Sequence, residues 1–197
     1  MRLILASGSA ARAQMLEDAG VSFEVIRPDV DEDAIKDKIG RSAANAQAIA
    51  ARLAQSKALA IAEAGPDDLV LGSDQVLLHG SDLLDKPGSM DEARTQLLSL
   101  RGGRHYLLSA VSLVRADTEI WSASDKVALH MRDFTDEFLD RYLQAFGKLA
   151  LTSVGGYHIE GLGAQLFEKI DGDQFTVRGM PLLLVLGALR RFGMLKT

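Results

Sequence analysis

Short apolar runs alternate along this chain with stretches of helical spacing, and that alternation is what most constrains the fold. It is the pattern of an α/β protein, in which helices cover the faces of a sheet. Arg2–Ala6 reads as a strand, and Ala10–Ala19 as a helix with Ser9 as its N-cap and Gly20 just past its end. Phe23–Ile26 is a short strand, followed by an acidic, irregular stretch from Asp29 to Gly40. Ser42–Ala64 has the composition of a long alanine-rich helix closed by Gly65-Pro66, and Leu69–Leu78 that of a strand. Beyond the Lys86-Pro87-Gly88 loop, Ser89 caps a helix that runs to Leu100. Tyr106–Arg115 and Glu119–Met131 form two long strands with a turn near Asp117-Thr118, and Thr135–Phe146 is helical. Gly155–Gly179 is too rich in glycine to assign. Met180–Phe192 closes the chain as a helix that tolerates Pro181 in its first turn. No repeat and no Pro/Gly/Ser linker interrupts the 197 residues, so a single domain is expected over 1–197.

Charge and composition exclude several functions. The net charge of −5 lacks the basic excess of a protein that wraps nucleic acid. With no cysteine, disulfides, thiolate metal sites and cysteine nucleophiles are impossible. Leu3–Ala6 is too short for the apolar core of a signal peptide, and Met180–Leu189 is about half a membrane span. The expectation is a soluble, cytoplasmic protein that binds neither nucleic acid nor membrane.

Chemistry concentrates at a few points. Where Leu3-Ile4-Leu5-Ala6 runs into Ser7-Gly8-Ser9 and a helix begins, free backbone N–H groups, two hydroxyls and the helix dipole converge as an anion cradle. Arg12 lies one turn further on and adds a guanidinium fork. An ordinary serine-capped turn has the same sequence. Asp74 interrupts the apolar run Leu69–Leu78, where an unpaired buried charge is costly. Such a residue holds a metal, activates water or pairs with a cation, unless Gly72-Ser73-Asp74 is an exposed kink. Lys57 falls on the inward stripe of Ala46, Ile49, Ala50, Leu53, Ala60, Ile61 and Ala64, where it snorkels or reaches into a cleft. Lys86 is a loop cation. Glu32, in the acidic run, suits a hard cation, although charge runs are usually solvated loops. His79, His105, His130 and His158 lack metal-site spacing, there is no Gly-x-Ser-x-Gly elbow, and Gly161-Leu162-Gly163-Ala164 is no dinucleotide fingerprint.

In order, Leu5-Ala6-Ser7-Gly8-Ser9, Val30-Asp31-Glu32, Lys57, Gly72-Ser73-Asp74-Gln75-Val76, Lys86-Pro87 and Tyr157-His158-Ile159-Glu160-Gly161-Leu162-Gly163-Ala164 resemble the motifs of Maf-like nucleotide pyrophosphatases. Ile170-Asp171-Gly172-Asp173 and Val177-Arg178-Gly179-Met180-Pro181-Leu182 resemble that family's closing motifs, so the likeness spans essentially the whole chain. It implies a long mixed twisted sheet with flanking helices, two lobes around a central cleft, and a homodimer. The implied reaction cleaves a nucleoside triphosphate to the monophosphate and pyrophosphate with a divalent metal, Mg²⁺, Mn²⁺ or Co²⁺, and keeps non-canonical nucleotides from incorporation. Carried over residue by residue, Asp74 is the catalytic base and a metal ligand with Glu32. Lys57 and Lys86 neutralise the phosphates, and Ser7, Ser9 and Arg12 hold them. The family's opening usually continues with proline and then arginine or tryptophan, where this chain has Ala10 and Ala11 before Arg12. Gln75 and Glu160 resemble the branch that favours 7-methyl-GTP, since a carboxylate can accept both the N1–H and the exocyclic amine of guanine. Ala11 cannot stack on the methylated ring as tryptophan does. Two other readings stand beside this one. One is an inosine- or xanthosine-triphosphate house-cleaning pyrophosphatase. The other is a septum-formation regulator that only binds nucleotide, against which the joint presence of Asp74, Lys57 and Lys86 counts.

Overall fold

A computed structural model describes residues 1–196, and its organising element is the eleven-residue strand Leu69–His79. In chain order the elements are β1 (Leu3–Ala6), α1 (Ala10–Asp18), β2 (Glu24–Ile26), α2 (Glu32–Ile39), α3 (Ala46–Leu59), β3 (Leu69–His79), β4 (Asp82–Leu84) and α4 (Met90–Leu100). They continue with β5 (Arg104–Arg115), β6 (Thr118–Met131), α5 (Asp136–Phe146), β7 (Phe167–Asp171), α6 (Gln174–Val177) and α7 (Leu182–Arg191). The seven strands make one mixed sheet of order β2-β1-β3-β5-β6-β7, with β4 folded back on the far end of β3. β3 pairs parallel with β1 and antiparallel with β5, so the two halves of the sheet meet on it.

The two-residue period of a strand sorts β3 onto two faces. Leu69 and Leu71 pack with Leu3, Leu5, Val111 and Leu113 under α1 and α7. Leu77, on the same face further along, joins a second core with α4, α5, β6 and the segment before β7. Between the two lie Ser73 and Gln75. On the opposite face Val70 packs with Ala58 and Ile61, while Val76 and Leu78 pack with Ile49, Leu53 and Ala54 of α3. Between those pairs lie Gly72 and Asp74. Midway along β3, therefore, both faces exchange apolar packing for polar groups.

The α/β class expected from the sequence is present, and the strand and helix assignments outside three regions hold to within a few residues. The acidic stretch is not irregular. Asp31 caps α2 by accepting from the Ala34 amide (2.9 Å), acidic residues fill the first turn and lysines the last, and Gly40 (φ 92°) ends it. The long helix is shorter than expected: Ala43–Asn45 is a 3-10 turn and α3 stops at Leu59. Ile61 then turns inward onto Val70 and Val114, leaving Ala60 exposed and Ala64 half-buried rather than on the inward stripe. The glycine-rich region hides β7, α6 and 3-10 turns at Val154–Gly156 and Leu162–Leu166. The β5–β6 turn falls on Ala116 and Asp117, both at positive φ, one residue earlier than expected. Among the described residues no helix is long and apolar enough to cross a membrane.

Candidate active site

A cleft of about 1360 Å³ opens where β3 changes from apolar to polar. Ser7, Ser9, Ala11, Arg12, Glu32, Lys57, Asp74, Gln75, Lys86 and Glu160 all line it, so every residue singled out from the sequence comes to one place.

At the centre, Asp74 projects from β3 toward α3, where Gly72 lets the helix approach the strand. A Cβ on Gly72 would fall 2.0 Å from the Ala54 carbonyl oxygen. That close approach brings Lys57 Nζ within 2.5 Å of Asp74 Oδ1, with the two residues 9% and 6% exposed. The same ammonium lies 2.6 Å from Glu32 Oε1 at the start of α2. A carboxylate, an ammonium and a second carboxylate thus form a line from the sheet to the cleft wall. Burial pushes the Asp74 carboxyl above its ordinary value, against the opposing pull of Lys57 and Arg12.

The serine turn is built as a cradle, with its groups already partnered. Ser9 Oγ caps α1 by accepting from the Arg12 amide, and Ser7 Oγ accepts from the Ser9 amide at 3.2 Å. Arg12 is not a free fork. Its Nε donates to the Gly179 carbonyl (2.9 Å), and its Nη1 donates to the Ser73 carbonyl (2.8 Å) and to Ser7 Oγ (3.2 Å). Burial lowers its pKa from the usual guanidinium value, opposed by the charges of Asp74 and Glu32. Arg12 therefore ties the serine turn, β3 and the loop after α6 into one unit.

Gln75, on the other face of β3, donates through Nε2 to Ser109 Oγ and to the carbonyls of Thr176 and Val177 (2.9, 2.9 and 3.2 Å). It fastens α6 to the sheet. Lys86 and Glu160 stand on exposed loops at the rim of the cleft.

The structure adds residues that the sequence reading passed over. Lys36 and Arg41 line the same cleft and clamp α2 to Asp85, beside Lys86, at 2.6 and 2.9 Å. Their signal is the Lys36-Lys38-Arg41 spacing at the end of a capped helix, which an acidic, irregular stretch conceals. Tyr157 forms part of the wall, its hydroxyl 2.7 Å from Nε2 of the buried His105, whose pKa burial pushes down to about 3.

Among the described residues no group of three or more His, Asp or Glu side chains is placed to hold a metal ion. The donor set here is two carboxylates, Glu32 and Asp74, each with one oxygen left free by Lys57. Two carboxylates beside the serine turn fit a hard divalent cation, which prefers oxygen ligands.

Comparison with known proteins agrees with this architecture. Residues 2–192 match the family model described as Maf-like protein. The chain is 44% identical to a "Nucleoside triphosphate pyrophosphatase" of Granulibacter bethesdensis, over 97% of each chain. It is 46% identical to a protein of the same name from Caulobacter vibrioides, over 97% of this chain and 96% of that one. It is also 42% identical to the "7-methyl-GTP pyrophosphatase" of Brucella abortus, with the same coverage of 97% and 96%. With its cleft, its serine turn and nearly its whole length matched, this chain belongs to the Maf-like protein family.

Proposed function

We propose that the protein is a nucleoside triphosphate pyrophosphatase, hydrolysing its substrate to the monophosphate and pyrophosphate. The observation that carries this reading is the Glu32–Lys57–Asp74 line beside the serine turn, within a cleft large enough for a nucleotide. The names of the relatives support it.

Water attacks the α-phosphorus, the bond to the oxygen bridging to the β-phosphate breaks, and the pyrophosphate leaves. Asp74 is the base: it orients the water and takes its proton, with Lys57 holding the carboxylate in place. Backbone N–H groups at the start of α1 and the hydroxyls of Ser7 and Ser9 seat the phosphates, and Lys86 closes on them from the rim. Hydrolysis of this kind rests on positioning and charge rather than on a covalent nucleophile. Glu32 and Asp74 would hold the divalent cation, Mg²⁺, Mn²⁺ or Co²⁺, which supplies charge neutralisation for the phosphates and acidifies bound water.

The finer part of the proposal concerns the base. Glu160 at the rim accepts the paired N1–H and amine of a guanine ring, which favours 7-methyl-GTP or GTP over pyrimidines. The Brucella relative carries that substrate in its name.

Product analysis over a panel of canonical and modified triphosphates, with and without a chelator, tests both levels. Monophosphate plus pyrophosphate, lost on chelation, is expected. A diphosphate plus orthophosphate would overturn the pyrophosphatase reading. Glu160→Gln should lower the guanine-to-uracil ratio of kcat/KM roughly ten- to a hundredfold, through an unpaired donor. An unchanged ratio removes the base assignment and leaves the hydrolase.

A further inference from the structure

We propose that Arg178 is an arginine that grips the phosphate chain of the nucleotide, with a fork that the protein itself leaves unused; the inference rests on the triphosphate reading above. Four arginines line the cleft: Arg12, Arg27, Arg41 and Arg178. Arg12 spends its Nε and Nη1 on two carbonyls and a hydroxyl of the protein. Arg41 is engaged by Asp33, Asp37 and Asp85. Arg27 is exposed, so water satisfies its donors.

Arg178 differs from all three. It is half-buried, its Nε is shut away from solvent, and among the described residues that nitrogen meets no acceptor. Among the described residues the side chain makes no ion pair either, and its Nη nitrogens make no hydrogen bond. A buried donor without a partner is costly, and arginine cannot relieve the cost by losing its proton. The Nη pair is not shut away as Nε is, and an acceptor supplied there by a ligand gives the guanidinium the partner that the protein does not. A phosphate oxygen is the acceptor that a planar guanidinium fork fits best.

The backbone around Arg178 is held firmly, as a binding residue requires. Before it, the Thr176 carbonyl accepts from Gln75 and Ser109, and the Val177 carbonyl accepts from Gln75. After it, the Gly179 carbonyl accepts from Arg12 and Ser73. The ties from Ser73 and Gln75 run to the same stretch of β3 that carries Asp74, so base and guanidinium share one rigid support. Arg115 also has an unpartnered Nε, but it lies outside the cleft and carries no such argument.

The test is calorimetric titration of the αβ-methylene analogue of GTP, which cannot be cleaved between its first two phosphates, and of guanosine as the phosphate-free control. Arg178→Met keeps the stem and removes the fork; Arg178→Lys keeps the charge alone. Arg178→Met should weaken the analogue roughly ten- to a hundredfold and leave guanosine unchanged, with Arg178→Lys in between. Should Arg178→Met not fold, Arg178→Lys is read alone, with a loss of at least severalfold expected for the analogue only. Analogue binding within twofold of wild type overturns the assignment, as does an equal loss for guanosine, which would mark a structural role. The wild-type product assay separates the two levels. Hydrolysis with no effect of Arg178 leaves the enzyme and removes the arginine. An Arg178-dependent analogue affinity without hydrolysis keeps the arginine and removes the enzyme.

Discussion

Asp74 has one oxygen against Lys57 and its charge raised in cost by burial, so its protonation should be visible in the pH profile of the proposed reaction. A base works only when ionised. The acid limb of kcat/KM is therefore expected at a pH above the ordinary carboxylate value of 3.8. Because Lys57 pulls that pKa down, Lys57→Met should move the limb to higher pH as well as weaken phosphate binding. Asp74→Asn should cut kcat by roughly 10²–10⁴ while binding changes little. A limb that stays in place in Lys57→Met would show that another group titrates. At this scale the sequence was informative where a residue broke a local rule: Asp74 inside an apolar run, Lys57 on an apolar stripe. It was silent on direction. Arg12 and Gln75 look like ligand-facing side chains, and only the tertiary placement of Gly179 and Thr176 reveals that, while lining the cleft, they also bond to the protein's own backbone.

The helix α3 and strand β3 bring Lys57 to Asp74 only because Gly72 has no side chain. A methyl group there would meet the backbone at Ala54 and Ala58, which cannot swing aside as a flexible side chain can. Gly72→Ala should cost about 1–3 kcal/mol from overpacking, a fall in Tm of roughly 3–10 °C, and should reduce turnover by spreading the Lys57–Asp74 pair. Gly187, within α7, has open space around its missing Cβ. Gly187→Ala should raise Tm slightly through helix propensity. Thermal melts of the two variants beside wild type check the contrast. Elements with an apolar face were legible from period alone, as for β5, β6 and α4. α2 turns only Ile35 and Ile39 toward the core and buries neither fully, a stripe too short to read as a period, so its capping chemistry marks it best. β7 and α6 were missed because glycines around them erase periodicity, while their position is set by partners far along the chain.

Across the whole molecule, acid should unfold the protein through a set of paired carboxylates. Asp68 accepts from the Arg2 amide and guanidinium and from the Gly65 amide, joining the start of β1 to the loop before β3. The Arg2 side-chain bonds, first among several, hold its carboxyl far below the usual range. Asp33, Asp136 and Asp171 are lowered in the same sense by Arg41, Arg101 and Lys169. A carboxylate lowered in the folded state stabilises it above the unfolded value, and that stability drains as pH falls from 3.8 toward the folded value. Asp74 is shifted the other way, so its cost at neutral pH is relieved by acid. Urea midpoints should therefore decline below about pH 4. Asp68→Asn should have the lower midpoint at pH 7, with its curve converging on wild type in acid. Parallel curves at all pH values would show that Asp68 does not couple to the proton.

The position of β3 between a parallel and an antiparallel neighbour also governs how the molecule fluctuates. Amides in the middle of a sheet, bonded on both edges, exchange with deuterated solvent only when the cooperative unit opens, whereas marginal elements exchange by local opening. The carboxylate proposed as the base is thus mounted on the part of the chain expected to exchange slowest. The cleft wall opposite it, α2 with Ile35 and Ile39 its only half-buried apolar side chains and its ends fastened by ion pairs, is expected among the faster. Deuterium uptake should separate the two by orders of magnitude, with Gly72–Val76 protected and Glu32–Ile39 labelled early. Bound triphosphate should slow the second without touching the first. On the proposed function, the site would admit and release a bulky, charged substrate by loosening one wall, while Asp74 keeps its address.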